Sequence, residues 1–580
     1  MKQIKITFLA VFCVLIVQLT GCATYGSGVE KALQSAQKGH YLEAEQSMAT
    51  ALTPTGVDRL LYHMELAVLK HLQGQYLESN QLLATAEKIA EDLEVTSVSN
   101  SIAAFMSNPR NGDYAGADFE KVFINYYKTL NYMALSSEAT TKNGRLDAIE
   151  SARIESRRLG IRLNALNSDK GTYAEQKDED GEMFSQLLDV FSKLQGNLID
   201  HDKLEYRDDA MAHYLTGITY EANREYDNAR ISYRKAAVSY EEGFSEQFGL
   251  GSEMTQQAWF DTVRMMRKAG GYNNEWPRLA KKKLTKKQIK DLSSFDDKSQ
   301  VIVIEHVGMM PQRKEMNVQL STNPATQSLE LRPYVGGGNT HLEKLAWFYI
   351  VYADKSLLDL VANYYDATFV GFLLNDFNKT IYIGPAWDAA AELGLINAIG
   401  SGLRITVPYY APPKQKPGAS FVTVNGQQHV LRPASKPAVM GLNEQLLSAN
   451  SDIKLALARG AFKALTAQKA GELAGGQFGG LLSSIGQIAG QLSDAAETRN
   501  WLMLPYEVRV SRIALDAGSY SIAVSSEVVK GKPAVKQDQQ IVLQEDELQV
   551  VQVRSMPHLN QAAVLPQENK IQKSVALIEQ

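Results

Sequence analysis

The side chain with the clearest chemical setting in this sequence is the thiol of Cys22. It ends the stretch Leu19-Thr20-Gly21-Cys22, which follows an almost unbroken apolar run over residues 6–17. Lys2 and Lys5 give the chain a short basic start. Because an apolar run of this length is too short to span a bilayer comfortably, the pattern indicates a signal-peptide core rather than a permanent membrane helix. The sequence therefore predicts that the chain is exported.

The stretch 19–22 closely resembles the lipobox of bacterial lipoproteins. The resemblance implies that residues 1–21 are removed and that Cys22 becomes the first residue, with lipid on its sulfur and its amine. Several acyl chains give stable anchoring, whereas one chain alone binds a membrane only marginally. Ala23, in place of the Asp that retains such proteins at the inner membrane, implies a lipid anchor in the outer membrane and a body in the periplasm. An ordinary signal peptide or membrane anchor with a chance cysteine is the alternative.

Removal of the signal would leave no second thiol. The chain has 2 cysteines, and Cys13 lies within the apolar run. The remaining body would then lack a disulfide, a redox centre and a zinc–thiolate site, so its fold would depend on its core alone. The net charge of −5 argues against nucleic acid as the main partner.

Other residues that could support catalysis do not occur in a recognisable pattern. The 9 histidines are scattered, and none has the spacing of an HExxH zinc helix. Residues 336–338 are three glycines without the Lys-Ser/Thr of a phosphate loop, and residues 178–180 lack the alternating acids of a calcium loop. A serine nucleophile would lack a G-x-S-x-G setting. The sequence thus predicts a non-catalytic protein without a metal or cofactor site, although residues that converge only in the folded chain could still form an enzyme.

The segment 22–270 is rich in Ala, Leu, Glu and Gln, and this composition predicts helices. A Gly-x-Tyr-Leu-Glu-Ala/Ser signature occurs at 39–44 and at 74–79, and a related Tyr-Asp-Asn-Ala stretch occurs at 226–229, downstream of Gly217 and Tyr220. This pattern resembles the tetratricopeptide repeat, in which a small residue lets two antiparallel helices approach and an aromatic residue fills the gap. Tyrosines and alanines at helical spacing in an ordinary helical bundle are the alternative.

The repeat resemblance also implies where a partner would bind. Side chains of the inner helices line the groove of such repeats. Carried onto this sequence, the groove positions are Tyr214, Ile218 and Glu221 in the third copy, and Met64, Val68 and His71 in the second.

The pattern changes after residue 270. Residues 271–300 form a basic linker, read either as a solvated helix or as a surface for anionic lipid or an acidic partner. A mixed α/β region follows at 301–445, with a hairpin signal at Asn425-Gly426. An Ala/Gly-rich helical segment (446–498), a small antiparallel β module (499–556) with a strand at 501–504, and a tail (557–580) complete the prediction. The fold class is therefore multidomain, with an all-α, tetratricopeptide-like N-terminal half and an α+β C-terminal half.

Three short stretches carry a further resemblance. Residues 308–315, 498–505 and 518–520 are similar to an uncharacterised family of proteobacterial lipoproteins that joins a repeat-like half to a β-rich half. Among these residues Arg313, Lys314, Arg499 and Trp501 are candidates for an interdomain contact or for a partner-binding surface.

These features together predict a non-catalytic outer-membrane lipoprotein that binds an envelope protein as a scaffold or regulator. Regulation of peptidoglycan synthesis is one concrete form, by analogy alone. A pilotin-like assembly factor of a secretion, flagellar or polysaccharide export machine, and a cryptic cell-wall hydrolase, are the alternatives.

Overall fold

The computed structural model describes residues 25–96, 109–167, 209–334, 379–446 and 495–559, apart from short gaps at 385–386, 393, 401 and 411–415; a few single positions between 448 and 460 are also described. Cys22 lies outside these residues. So do residues 183–194 and 355–377, whose sequences also favour helices, the loop predicted at 168–182, the glycines 336–338, and nearly all of the Ala/Gly-rich segment.

The N-terminal half is helical, as predicted. Its helices are α1 (Tyr25–Gly28), α2 (Glu30–Gln37), α3 (Tyr41–Ala51), α4 (Arg59–Leu72), α5 (Tyr76–Thr96), α6 (Asp118–Glu138), α7 (Lys142–Asn167), α8 (Ala210–Ala222), α9 (Tyr226–Ser239), α10 (Glu253–Ala269), α11 (Trp276–Lys283) and α12 (Lys286–Asp296). A 3₁₀ turn (Pro109–Asn111) precedes α6, and a π-helical turn (Tyr240–Phe244) and a helical turn (Ser245–Gln247) follow α9. Successive helices of this half contact one another, so they form a row with α1 at one end and α11 and α12 at the other.

One turn recurs where the sequence signature recurs. Gly39, Gly74 and Arg224 each adopt a positive φ two residues before the tyrosine that begins the next helix. After Gly74, for example, the N–H of Gln75 donates to the carbonyl of Lys70 at 2.9 Å, which closes the last turn of α4. The glycine is favoured because a Cβ is strained at this φ. The repeated signature therefore fixes the same helix end at three places.

Gly217 permits the close contact between α8 and α9 that the sequence suggested. A Cβ at this position would lie 2.5 Å from the Tyr233 ring, which is closer than real side chains allow. The two helices can therefore pack at this distance only while residue 217 has no side chain.

The C-terminal half contains two sheets. Its strands are β1 (Ser299–Val307), β2 (Arg313–Asn323), β3 (Ser328–Tyr334), β4 (Lys379–Tyr382), β5 (Leu403–Tyr410), β6 (Ser420–Val424), β7 (Gln427–Ser435), β8 (Glu507–Leu515), β9 (Gly518–Ser526), β10 (Val535–Leu543) and β11 (Leu548–Ser555). The short helices α13 (Trp387–Glu392) and α14 (Leu395–Ile399) lie between β4 and β5, and residues 437–446 are also helical.

The larger sheet has seven strands in the order β10-β9-β6-β7-β8-β1-β11, and the smaller has the order β4-β3-β2-β5. Within the larger sheet β1 and β11 are parallel, and the other pairs are antiparallel. The sheet curls until its edges approach, since Gln537 of β10 donates to the carbonyl of Arg554 in β11 at 3.1 Å. The hairpin prediction is confirmed: Asn425 and Gly426 join β6 to β7 with φ values of 51° and 75°.

The strand pairing corrects several predicted boundaries. Strands from 299–307, from 420–435 and from 507–555 share one sheet, so 499–556 is not a separate β module. Residues 501–504 are turns rather than the predicted strand. The basic linker 271–300 contains two helices and the start of β1. The sequence did not predict β10, because residues 536–540 are an unbroken polar run without the apolar alternation of a half-buried strand.

The helix row lies against one face of the seven-stranded sheet. Helices α6, α8 and α10 contact β7 or β11, whereas α7 and α9 pack behind them. Ile302 and Ile304 of β1 belong to the core shared with the helices, while Val301 and Val303 point into a second core on the opposite face. The inner face of the helix row is therefore closed by the protein's own sheet.

Candidate functional site

Most of the residues that the sequence marked for partner binding are buried, whereas Arg313 and Lys314 of β2 are only partly buried. Six of these residues were expected to line an open groove (Tyr214, Ile218, Glu221, Met64, Val68 and His71), and all six are buried. Arg499 and Trp501 are buried as well. The prediction of an accessible groove is wrong for these positions, because the sheet and the segment before β8 already occupy the inner face of the helices.

A short irregular segment, residues 498–504, contacts the middle of α4 and the first turn of α6. We call it the strap. Glu65 of α4 accepts hydrogen bonds from the N–H groups of Leu502 (2.7 Å) and Met503 (2.9 Å). Glu120 of α6 accepts one from the N–H of Trp501 at 2.7 Å. Two carboxylates from the helices therefore take the place of a neighbouring strand for three successive backbone amides.

Both carboxylates are fully buried, and their remaining lone pairs are also used. Glu65 accepts from the Tyr25 hydroxyl at 2.8 Å, and Glu120 accepts from the Tyr114 hydroxyl at 2.6 Å. Burial raises the pKa of Glu65 to about 7, although the bonds from Leu502, Tyr25 and Met503 act to lower that pKa. Burial also raises the pKa of Glu120. Because α1 carries Tyr25, the first described helix of the chain is tied to the same site.

The strap is fixed at its start by Arg499. Its guanidinium pairs with Asp58 at 2.9 Å and donates to the carbonyls of Pro109 (3.1 Å) and Gly112 (2.9 Å). Burial acts to lower the pKa of Arg499, but its contacts with Glu497 and Asp58 raise it well above the usual value. The sequence left open an interdomain contact or a partner surface for Arg499, and the structure places it in the contact between the two halves.

Trp501 is the apolar anchor of the strap. Its ring is fully buried, and its centroid lies 6.0 Å from that of Tyr127 in α6. The Tyr127 ring also lies 5.2 Å from the His71 ring and 5.6 Å from the ring of His306 in β1. His71 is bonded within the helices, through Nδ1 to the Asn131 side-chain oxygen at 2.6 Å. These rings therefore fill the space between helices, strap and sheet.

The neighbouring His306 is held neutral. Burial lowers the pKa of this histidine well below its usual value, and the charge of Arg554 adds to the effect. Its Nε2 is 2.9 Å from the hydroxyl oxygen of Tyr126. A neutral imidazole that is hydrogen-bonded to a helix residue is compatible with a buried position between the helices and the sheet.

A second polar cluster lies farther along the row, where α8 and α10 face β8. Glu221 accepts hydrogen bonds from Arg512 at 2.9 Å and 3.2 Å, from the Tyr233 hydroxyl at 2.7 Å, and from Arg264. Asp261 accepts from the Tyr214 hydroxyl at 2.7 Å and lies 3.3 Å from both arginines. The two acids and two arginines balance in charge, and all four side chains are buried.

The electrostatics of this cluster favour the charged forms. Burial acts to raise the pKa of Glu221, but Arg264 and Arg512 outweigh it and lower that pKa to about 2. The pKa of Arg512 is raised well above its usual value by Asp261 and Glu221, against the effect of burial. Since Arg512 belongs to the sheet and Glu221 to the helices, loss of either charge would leave the other buried without its partner.

Sequence reasoning marked Glu221 but missed Glu65, Glu120, Asp261 and Arg512. A signal was present: Glu65 sits directly after Met64 and between Leu61 and Val68, all on the buried side of α4. A charged residue at a core-facing position needs a partner from another element. The pattern shows that a partner is required, but it does not identify the strap.

The buried charged side chains of this region make fixed contacts within the protein. Each of these carboxylates is occupied by donors, and the arginines pair with acids or backbone carbonyls. Among the residues that the structure describes, no group of three or more His, Cys, Asp or Glu could hold a metal ion. Within the same part of the chain, no helix combines the length and apolar character needed to cross a membrane.

Comparison with known protein families finds no matching family model, and comparisons with curated proteins and with solved structures find no match either. Function must therefore be inferred from the residues of the chain itself.

Proposed function

We propose that this protein is a non-catalytic lipoprotein of the outer membrane that serves as a scaffold for an envelope assembly. The anchor is the lipid on Cys22, and the body works in the periplasm. The single observation that carries the scaffold proposal is the closed contact between the helix row and the C-terminal half. A scaffold must keep its binding surfaces at fixed positions, and buried ionic clusters that join two halves favour one relative arrangement.

We also propose that the helix pairs are tetratricopeptide-like. The recurring turn before Tyr41, Tyr76 and Tyr226 supports this reading, as does the close packing at Gly217. In this protein the inner face of the repeats holds the strap and the sheet. A partner would therefore bind on the outer helices or at the ends of the row. Ile161 on α7 and Leu42 on α3 are apolar side chains that remain 68% and 60% exposed there.

The first test addresses the anchor. Cells that express the wild-type protein or the Cys22→Ala variant are labelled with radioactive palmitate and fractionated on a sucrose gradient. The proposal predicts label in the wild-type protein alone, and wild-type protein in the outer-membrane fraction. An unlabelled wild-type protein, or one found with the inner membrane, would contradict the proposed location.

The second test addresses the scaffold. A photo-crosslinking amino acid is placed at Ile161 or Leu42, and at Val542, which is equally exposed but lies on the sheet. The proposal predicts that positions 161 or 42 capture a defined envelope protein in intact cells, and that the Cys22→Ala background loses this product. If purified sacculi release soluble fragments when incubated with the protein, a cell-wall hydrolase would replace the scaffold proposal.

A further inference from the structure

The two helices at the far end of the row carry a concentrated positive charge. Residues 276–290 contain six lysines, one arginine and no acid, in a chain whose net charge is −5. Lys283 already has partners within the protein, because it pairs with Glu241 and its Nζ lies 4.6 Å from the centroid of the Trp259 ring. The other six side chains form what we call the lysine surface: Arg278, Lys281, Lys282, Lys286, Lys287 and Lys290.

The helices that carry this surface are docked firmly on the protein. Ala280, Leu284 and Leu292 are buried, and Phe295 packs edge-on against Phe260 at 5.1 Å. Trp276 lies beneath the guanidinium of Arg267 at 4.7 Å. The apolar sides of α11 and α12 are thus used by the fold, while the basic sides face solvent.

None of the six basic side chains has an acidic partner in the part of the chain that the structure describes. All six are exposed, and none makes an ion pair with a described residue. Lys286, Lys287 and Lys290 lie near the N-terminus of α12, where the helix dipole disfavours positive charge, and the first turn of α12 contains no acid. Arg278 and Lys282, like Lys286 and Lys290, are also four residues apart, a spacing at which like charges repel. The charge therefore opposes folding slightly, and an anionic ligand would relieve it.

The position of the lysine surface helps to identify the kind of anion that it binds. Helix α1 begins three residues after Cys22, and it lies at the opposite end of the helix row from α11 and α12. A helix that binds a membrane surface inserts its apolar side into the lipid. Here that side is buried in the protein, and Ile289 is the one large apolar residue of 276–290 that is exposed, at 37%. Both observations disfavour a lipid surface.

We propose, on the premise of the periplasmic scaffold argued above, that the lysine surface binds a carboxylate-bearing glycopeptide polymer, which is the chemistry of peptidoglycan. Such a polymer presents repeated carboxylates that can meet several lysines at once. The protein would then connect the outer membrane, through its lipid, with the cell wall, through α11 and α12.

The test is co-sedimentation of the full-length protein, purified in non-ionic detergent, with purified peptidoglycan sacculi. The variant Lys286→Gln/Lys287→Gln/Lys290→Gln removes three charges from the lysine surface. The matched control, Lys530→Gln/Lys532→Gln/Lys536→Gln, removes three exposed charges near the β9–β10 connection. Because exposed ion pairs each contribute modestly, we expect the first variant to bind about tenfold more weakly, while the control binds like the wild type. Binding by the wild type should fall as salt is raised.

Three results would overturn the proposal: a wild-type protein that does not sediment with sacculi, equal binding by the two triple variants, or binding to vesicles of anionic lipid in preference to sacculi. Thermal unfolding of each variant shows whether folding is preserved, and the first variant should unfold no earlier than the control. Mass spectrometry of Cys22 in the same preparation reports the lipid separately. Failure of the anchor and failure of the lysine surface are therefore distinguishable.

Discussion

The buried cluster around Glu221 gives the strongest single test of how the two halves are joined. In Glu221→Gln, the side chain keeps its shape but loses its charge and half of its acceptor capacity. Arg264 and Arg512 would then share Asp261 as their one buried anion within the cluster. We expect this change to lower the free energy of unfolding.

The pKa shift of Glu221 indicates how much unfolding free energy this substitution removes. The environment lowers the pKa of Glu221 from 4.5 to about 2. A shift of this size corresponds to roughly 3 kcal/mol in favour of the ionised form, and the side chain is fully buried, so solvent does not reduce it. Removal of one partner from a buried ion pair costs about 3–5 kcal/mol in other proteins. We therefore expect Glu221→Gln to destabilise the protein by about 3 kcal/mol at pH 7.

The pH dependence has a definite sign. Since the folded pKa of Glu221 lies below the unfolded value, its contribution is fully present above about pH 4.5 and is lost as the pH falls through about 2. The difference in unfolding free energy between wild type and Glu221→Gln should therefore be constant from pH 8 to pH 5. It should shrink below pH 4.5.

The assay is urea unfolding of the chain from residue 23, followed by far-ultraviolet circular dichroism and by tryptophan fluorescence. Arg512→Met should also destabilise, and the double variant should lose at least about 1 kcal/mol less than the sum of the two single variants, because the residues interact directly. Glu242→Gln, at an exposed position, is the control and should change stability by less than about 0.5 kcal/mol. A loss below about 1 kcal/mol for Glu221→Gln, or strict additivity of the two variants, would show that the cluster does not join the two halves in this way.

Two further predictions test the packing and the pH response. Gly217→Ala should destabilise the protein by about 1–3 kcal/mol in urea unfolding, because its methyl group would overlap the Tyr233 ring. The control is Gly160→Ala, whose methyl group would have nothing within 4 Å and which should be neutral or stabilising. Equal effects of the two substitutions would contradict the close contact at Gly217. Burial beside Asp118 raises the pKa of Glu444 to about 7, so its stabilising contribution is present below about pH 4.5 and is lost as the pH rises towards 7. Glu444→Gln should flatten the fall of unfolding free energy across that window, and an unchanged slope would refute the assignment.

Local signals in the sequence predicted local structure well. The Asn425-Gly426 pair specified its hairpin, because both residues tolerate the positive φ of the tight turn. Gly39 and Gly74, each two residues before a repeated tyrosine, end the preceding helix with a positive φ. The helical character of the first half follows from its composition and its apolar spacing. These features depend on residues a few positions apart, so the sequence alone contains the information.

The joining of the two halves could not be predicted in the same way. Residues 501–504 have the apolar run of a strand, but their amides bind Glu65 and Glu120, which lie far away in the sequence. The parallel pairing of β1 with β11 likewise brings together the two ends of the C-terminal half. The groove positions were assigned by a resemblance in which a partner binds there, and such a resemblance does not show that the chain fills the groove itself.

Two buried carboxylates, Glu65 and Glu120, hold the strap inside the protein. Site-resolved hydrogen exchange of the amides of Trp501, Leu502 and Met503 tests it most directly, since these residues lie outside helices and strands. We expect these amides to exchange as slowly as those of β1 and β8, and to exchange faster in Glu65→Ala. Exchange of these amides at the rate of the exposed turn at Asp546 would contradict it.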